Sequence, residues 1–317
     1  MRMQTRINRR GLAALIGAGA LIKTNVFAQT TGSDTETGAE LPAADLPSMN
    51  PQGHTFELSS TYDGNFDGVP DEAPVYNMEL TVYSSEQVAE LAEALGIDAE
   101  ATDLGGNTYS LQSRAGQLYV TQGRVQFISS AKEEDGDLPA DDKAIGTARE
   151  WLRQVGLLPG DVGDGYVLSR TDEPARVIVG FQPVQPAPLI SATPIVTVTM
   201  GANAQVLEAT NAWAKISQHL VYQLRGADFA WDEVENRRAW VEASLPTDQF
   251  APGTTIGGNV VYTRLSLAYT TSGIAGEAQY LQPVYVFHGQ LTPDGSDSKF
   301  EVKAYVAALI NSNQPVG

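Results

Sequence analysis

The stretch "TYDGNFDGVPDEAP" (residues 61–74) sets Asp63, Asn65 and Asp67 at alternate positions, followed by Gly68 and then Asp71. An oxygen-ligand calcium loop needs that pattern. Its first, third and fifth positions supply side-chain oxygens, a glycine turns the chain, and the seventh supplies a main-chain carbonyl, here Val69. Asp71, at the ninth, acts directly or through water. Hard oxygen donors suit Ca²⁺, the one cofactor the sequence points to. The bidentate glutamate that normally closes such a loop is replaced by Pro74. Asp, Asn and Gly also favour turns without any metal. The loop is therefore either a Ca²⁺ site on Asp63, Asn65, Asp67, Val69 and Asp71 or an acidic turn, and Pro74 weighs toward the turn.

Other chemistry is sparse. His54, His219 and His288 stand alone, with no H-x-x-x-H or H-E-x-x-H pair, so a zinc site needs long-range assembly. No G-x-S-x-G elbow presents a serine nucleophile. The carboxylate pairs Glu133-Glu134 and Asp141-Asp142 fall in a linker and at a helix start, where capping and solubility explain them. "GLLPGDVGDG" lacks the Lys-Ser/Thr of a phosphate loop. Neither a catalytic set nor a cofactor-binding set is found. Tyr109, Tyr119, Phe127, Trp213, Tyr285 and Phe287 alternate along strand-like runs and read as cross-strand core pairs. Trp231 and Trp240 do not share one apolar face, which leaves one of them as a partner anchor.

The elements that position these residues follow a leader. "MRMQTRINRR" carries Arg2, Arg6, Arg9 and Arg10, and a short apolar core (residues 11–22) precedes Val26 and Ala28 at small-residue cleavage positions. Residues 1–28 read as an export signal, too short in its apolar core to anchor the chain. The Arg9-Arg10 pair resembles a twin-arginine signal, and a plain Sec signal fits the same residues. The full chain has a formal charge of −18, and the signal holds basic residues and no acids, so its removal leaves a still more acidic chain. Such a charge argues against nucleic acid and anionic lipid as partners. With no Cys, neither disulfides nor thiolate chemistry contribute. No second long apolar run predicts a membrane span.

Residues 29–53 are rich in Thr, Gly, Pro and acids without apolar periodicity and read as a disordered leader. Three modules follow. The first (residues 54–131) holds a strand, "VYNMELTVY", then a helix, "SSEQVAELAEALG". Val88, Leu91, Ala92 and Leu95 give the helix its stripe, Ser84 and Gln87 a capping box, and Gly96 its stop. Three short strands complete it. The second (residues 132–220) opens with an acidic linker and the helix "DDKAIGTAREWLRQVG". Its stripe runs through Ala144, Ala148, Trp151 or Leu152, and Val155, and strands follow. The third (residues 221–317) starts with a helical pattern in "GADFAWDEVENRRAWVEA" and ends in a β-hairpin turning at Asp294 and Gly295. The predicted class is α+β: two or three modules, each a helix packed on an antiparallel sheet.

"DDKAIGTAREWLRQVGLLPGDV", "PIVTVTMGANAQVLEATNAWAKI" and "YLQPVYVFHGQLTPDGSDSKFEVKAYVAAL" resemble bacterial envelope proteins built from PepSY-like and YycH/YycI-like α+β modules. The resemblance covers roughly residues 75–310. It implies helix-plus-sheet modules outside the membrane and non-catalytic roles, such as regulating a sensor kinase or restraining a protease. This chain departs from the YycH/YycI pattern in carrying a cleavable signal where that pattern retains a membrane helix. The expectation is an exported, periplasmic or extracellular protein that binds or regulates an envelope partner and is not an enzyme. Two alternatives stand beside it: a calcium-stiffened scaffold or adhesion module, and a hydrolase without a recognisable motif.

Overall fold

The computed structural model describes residues 41–46, 52–273 and 279–309, all within one unit of the chain. The expected signal (residues 1–28) and most of the expected leader lie outside the described residues.

Two strands, β1 (Thr55–Tyr62) and β2 (Glu72–Leu80), precede helix α1 (Ser85–Ala94). The capping box forms as its sequence requires: Gln87 N–H donates to Ser84 Oγ at 3.2 Å, and Ser84 N–H to Gln87 Oε1 at 2.9 Å. Val88, Leu91 and Ala92 are its buried face. A meander follows, made of β3 (Thr102–Gly105), β4 (Thr108–Gln112), β5 (Gly116–Thr121) and β6 (Arg124–Ser129). Strict alternation drives it. In β5, Gly116, Leu118 and Val120 are buried while Gln117 and Tyr119 are exposed. Helix α2 (Asp141–Gln154) then leads into β7 (Val162–Asp172), β8 (Ala175–Pro183), β9 (Ile195–Met200) and β10 (Val206–Ala212). The rest comprises β11 (Ala214–Gln223), α3 (Ala227–Glu235), β12 (Trp240–Ala243), β13 (Thr255–Ser272), β14 (Gln279–Pro293) and β15 (Phe300–Ala307).

These strands make two sheets. One is eight-stranded, in the order β3-β4-β5-β6-β10-β9-β8-β7. Its two meanders meet where β6 and β10 pair antiparallel, Phe127 opposite Ala209 and Val125 opposite Asn211. Ala144, Ala148 and Leu152 of α2 share one apolar core with Val88 and Leu91 of α1 and with Leu118, Val179 and Val198 of the sheet. The other sheet is seven-stranded. Its main path is β1-β13-β14-β15-β12, and β2 joins β14 and carries β11. Its core gathers Leu58, Tyr262, Tyr285, Phe287 and Leu291 with Ala230 and Val234 of α3.

The α+β prediction of separate helix-on-sheet modules is corrected. Among the described residues the protein is mostly β, 49% strand against 14% helix, with three α-helices and two large sheets. A four-stranded meander leaves an unpaired inner edge, and an exposed edge invites wrong pairing. Pairing β6 with β10 removes two such edges at once and fuses two expected modules into one sheet. The strand expected at the start of the first module is β2, and it pairs instead with β11 and β14, while β1, which was not expected, pairs with β13. The expected third-module helix is also shorter. α3 ends at Glu235 with Asn236 as its C-cap, Arg237 takes a left-handed φ of 58°, and Trp240 begins a strand.

Within the expected leader, residues 41–46 run against the sheet. Asp45 N–H donates to the Thr271 carbonyl at 2.8 Å, and the Asp45 carbonyl accepts from Thr270 Oγ1 at 2.7 Å. Gln282 Nε2 donates to the Pro42 carbonyl at 2.7 Å. Thr270 and Gln282 are buried, so this short segment supplies partners their burial demands. Among the described residues no helix is long and apolar enough to cross a membrane.

Candidate functional site

Both ends of the path β1-β13-β14-β15-β12 line one cavity. It holds about 330 Å³ and opens between β1 and the segment joining α3 to β12. Phe56 and Leu58 from β1, Val234 from α3 and Val241 from β12 form an apolar wall. The strand period places these β1 side chains, since His54, Phe56 and Leu58 fall on one face. Trp240, half-buried, also lines the cavity and packs on Tyr305 with ring centroids 5.1 Å apart.

His54 is one of the residues lining this cavity. It is only 7% exposed, and its Nε2 has no hydrogen-bond partner. Its other nitrogen lies 3.4 Å from Thr254 Oγ1. Thr254 donates its single hydroxyl proton to the Ala251 carbonyl at 2.8 Å, so toward the imidazole it offers only lone pairs. A buried polar atom left without a partner costs about 1–3 kcal/mol.

Arg237 stands at the rim. Its Nε donates to the Leu58 carbonyl at 3.2 Å, and it makes no ion pair among the described residues. The site thus combines an apolar wall with the Arg237 guanidinium. It can hold an amphipathic group. No bond-breaking step follows from it.

The calcium-loop residues are placed differently. Asp63, Asn65, Asp67 and Asp71 are exposed, and Val69 is half-buried. No group of three or more His, Cys, Asp or Glu among the described residues is arranged to hold a metal. Asn65 Oδ1 accepts from Asp67 N–H at 3.3 Å, an Asx turn, and the Asn65 carbonyl accepts from Tyr62 Oη at 2.8 Å. Phe66 stacks on Tyr62, centroids 4.9 Å apart and rings 8° from parallel. The Asp71 carbonyl accepts from Leu224 N–H at 2.7 Å and Gln223 Nε2 at 2.8 Å. The geometry is a turn fastened by an aromatic plug.

The other histidines also find neighbours. His219 Nδ1 lies 3.5 Å from Asn77 Nδ2, and its ring lies against Tyr280. His288 sits inside β14, its Nε2 2.8 Å from Ser266 Oγ. Burial, then Arg264 and Lys303 on the flanking strands, push His288 down to about 4, against the weaker pull of Glu301. A base that weak takes a serine proton poorly at neutral pH, so the pair is a poor nucleophile–base couple. Most of the expected core aromatics are buried, and Tyr119, 42% exposed, is the exception. Trp231 packs among Tyr62, Tyr262 and Phe287, which leaves Trp240 as the tryptophan lining the cavity. Sequence reasoning missed Arg237 altogether. Its one signal was the Asn-Arg-Arg run interrupting the apolar stripe of the expected helix.

No family model matches the sequence, and no curated protein matches it. The chain is similar to the crystal structure of an uncharacterized protein from Eubacterium rectale ATCC 33656, with a TM-score of 0.43 and 9% identity. That match covers 83% of this chain and 91% of the other.

Proposed function

We propose that this chain is an exported, non-enzymatic binding protein of the bacterial cell envelope, and that it engages its ligand or partner through the cavity between β1 and β12. The observation that carries the binding role is the cavity itself, about 330 Å³ and lined by Phe56, Leu58, Val234, Val241, Trp240 and Arg237. A mostly apolar concavity with a few polar groups is the usual form of a small-ligand site. The envelope setting rests on residues 1–28 and on the PepSY-like and YycH/YycI-like resemblance of the later segments.

Trp240 is a built-in reporter. Titrating the full chain with an apolar dye such as anilinonaphthalene sulfonate is expected to give a saturable change in tryptophan emission that Trp240→Phe removes. A response carried equally by Trp240→Phe places binding elsewhere and ends this reading. N-terminal sequencing of exported material tests the setting. Gln29 as the first residue supports it, and a retained Met1 overturns the cleavage.

A further inference from the structure

We infer that residues 41–46 fill, from within the chain, an acceptor site for an extended peptide, and that a partner segment of the same pattern takes their place. The site is the edge of β13 at its Ser272 end, away from the stretch that faces β1 and the cavity. β1 pairs with β13 only as far as Tyr262, and beyond it two short segments complete the edge. Leu189 bridges Tyr269 in parallel, and Ala44 bridges Ser272 antiparallel. A peptide added to a sheet edge takes affinity from main-chain hydrogen bonds and specificity from its side chains. Both are built here. Asp45 N–H donates to the Thr271 carbonyl, Thr270 Oγ1 to the Asp45 carbonyl and Gln282 Nε2 to the Pro42 carbonyl, at 2.8, 2.7 and 2.7 Å. On the segment's side each of these atoms is main chain, so any extended backbone in this register supplies them. Side chains set the pattern. Leu41 is buried in the core that holds Tyr285 and Leu309, whereas Ala44 and Leu46, on one face of the segment, pack on the cluster of Ala268, Val284, Val286 and Tyr305.

Thr270 and Gln282 are 1% and 2% exposed. Without residues 41–46 the Thr270 hydroxyl and one Gln282 N–H lose their acceptors, the other Gln282 N–H being held by Ser272 Oγ at 2.6 Å. Buried donors without acceptors are costly, so an uncovered edge here favours any extended chain that brings carbonyls at this spacing. The segment now bringing them is short, whereas β1 is paired with the same strand along its whole length, Thr55 to Tyr62. Short elements with few hydrogen bonds are the first to open. Its outer side is also accessible: Ala43 and Asp45 are exposed, and a cavity of about 510 Å³ borders Asp45, Thr271 and Ser272. An arriving peptide reaches the edge from that side without parting the two sheets. Arg124 is the one cation lining this cavity and Asp45 the one acid, so a partner keeps the acid at that position. The partner is therefore an extended segment with an apolar first residue, a small fourth, an acidic fifth and an apolar sixth.

The test uses the full chain and a fluorescent synthetic peptide with the sequence of residues 39–48, AELPAADLPS. Leu46→Asp leaves every main-chain bond possible but removes the apolar contact, and is expected to release the segment, seen as faster hydrogen exchange of the Asp45 amide. By fluorescence anisotropy the released variant is expected to bind the peptide at least about tenfold tighter than the parent, whose own segment competes at high effective concentration. The same peptide N-methylated at the Asp45 position is expected to bind about tenfold more weakly, having lost its bond to Thr271. Thr270→Val in the released variant is expected to weaken the unmodified peptide to a similar extent. The parent alone supplies a further readout, needed if Leu46→Asp does not fold: millimolar unlabelled peptide is expected to speed exchange of the Asp45 amide by displacing the segment. Equal binding by parent and released variant, or indifference to N-methylation, overturns the assigned site. So does a released variant that binds no peptide, or a parent whose Asp45 exchange the peptide leaves unchanged. None of these outcomes bears on the cavity between β1 and β12, which the dye titration tests separately.

Discussion

Arg237 Nε and the Leu58 carbonyl, 3.2 Å apart, tie together the two ends of a five-strand path that never pair with each other. β1 bonds to β13 along one edge only, and its other edge faces the cavity. A side-chain donor set against such an edge blunts it against a stray strand. The same residue adopts φ 58°, which costs a non-glycine residue roughly 1–2 kcal/mol.

Two substitutions separate these effects. Arg237→Ala keeps the strained backbone and loses the tie, and is expected to destabilise by about 1 kcal/mol. Arg237→Gly loses the same tie but relaxes the backbone, and is expected to stay within about 0.5 kcal/mol of the parent. Urea denaturation midpoints decide between them. A glycine variant weaker than the alanine variant refutes the backbone part.

Helix α2 offers a sharper test of core register. The apolar stripe left Trp151 and Leu152 as alternatives. Leu152 is fully buried, whereas Trp151 is half-buried against Phe127 at 5.8 Å. Leu152→Ala is expected to cost about 2–5 kcal/mol, and more than Trp151→Ala. The reverse order in chemical denaturation would mean that the helix is turned by one position.

That pair of residues shows what was legible. Local signals with a short range came through: the capping box at Ser84, the glycine stop at Gly96, the alternation in β5, the turn at Gly295. Partners did not. Nothing in "TFELSSTY" announces that β1 pairs in parallel with β13, some 200 residues later, or that β6 seeks β10. Strand alternation fixes which side chains face inward but is silent about which edge meets which. The candidate site failed for the same reason. His54, Arg237 and Trp240 lie in three separate stretches, and only the sheet path brings them together.

The loop of residues 61–74 is expected to depend on its aromatic plug more than on its acids. Phe66→Ala removes the stack on Tyr62 and the packing of a half-buried ring, and is expected to cost about 1–3 kcal/mol, below the full-burial range. Asp67→Ala keeps the backbone N–H that bonds Asn65 Oδ1 and trims only an exposed side chain, so it is expected to stay within about 0.5 kcal/mol. Millimolar calcium is expected to move the thermal midpoint of parent and Asp67→Ala alike. A calcium shift present in the parent and absent in Asp67→Ala would instead restore the metal site.

His288 gives the protein a pH dependence of known sign. Its folded value lies near 4, against 6.5 for the free side chain, because burial and the facing Arg264 and Lys303 disfavour its charged form. Above pH 6.5 both folded and unfolded chains hold it neutral, and its contribution is fully present. Between pH 6.5 and about 4 the unfolded chain binds a proton that the folded chain refuses, so stability falls with falling pH. Glu150 and Glu233, held down by Arg153 and Arg238, lose their contributions only as pH drops below about 4.5, so they do not enter the upper part of this window. His288→Gln keeps a polar partner for Ser266 and cannot titrate. Thermal midpoints taken from pH 7.5 down to pH 4.5 at fixed salt are expected to fall faster for the parent than for the variant. The two proteins differ only at residue 288, so the difference isolates His288. Added salt screens Arg264 and Lys303 but leaves burial untouched, and is expected to shrink the difference without removing it. Parallel curves for parent and variant would show that His288 takes its proton as readily folded as unfolded.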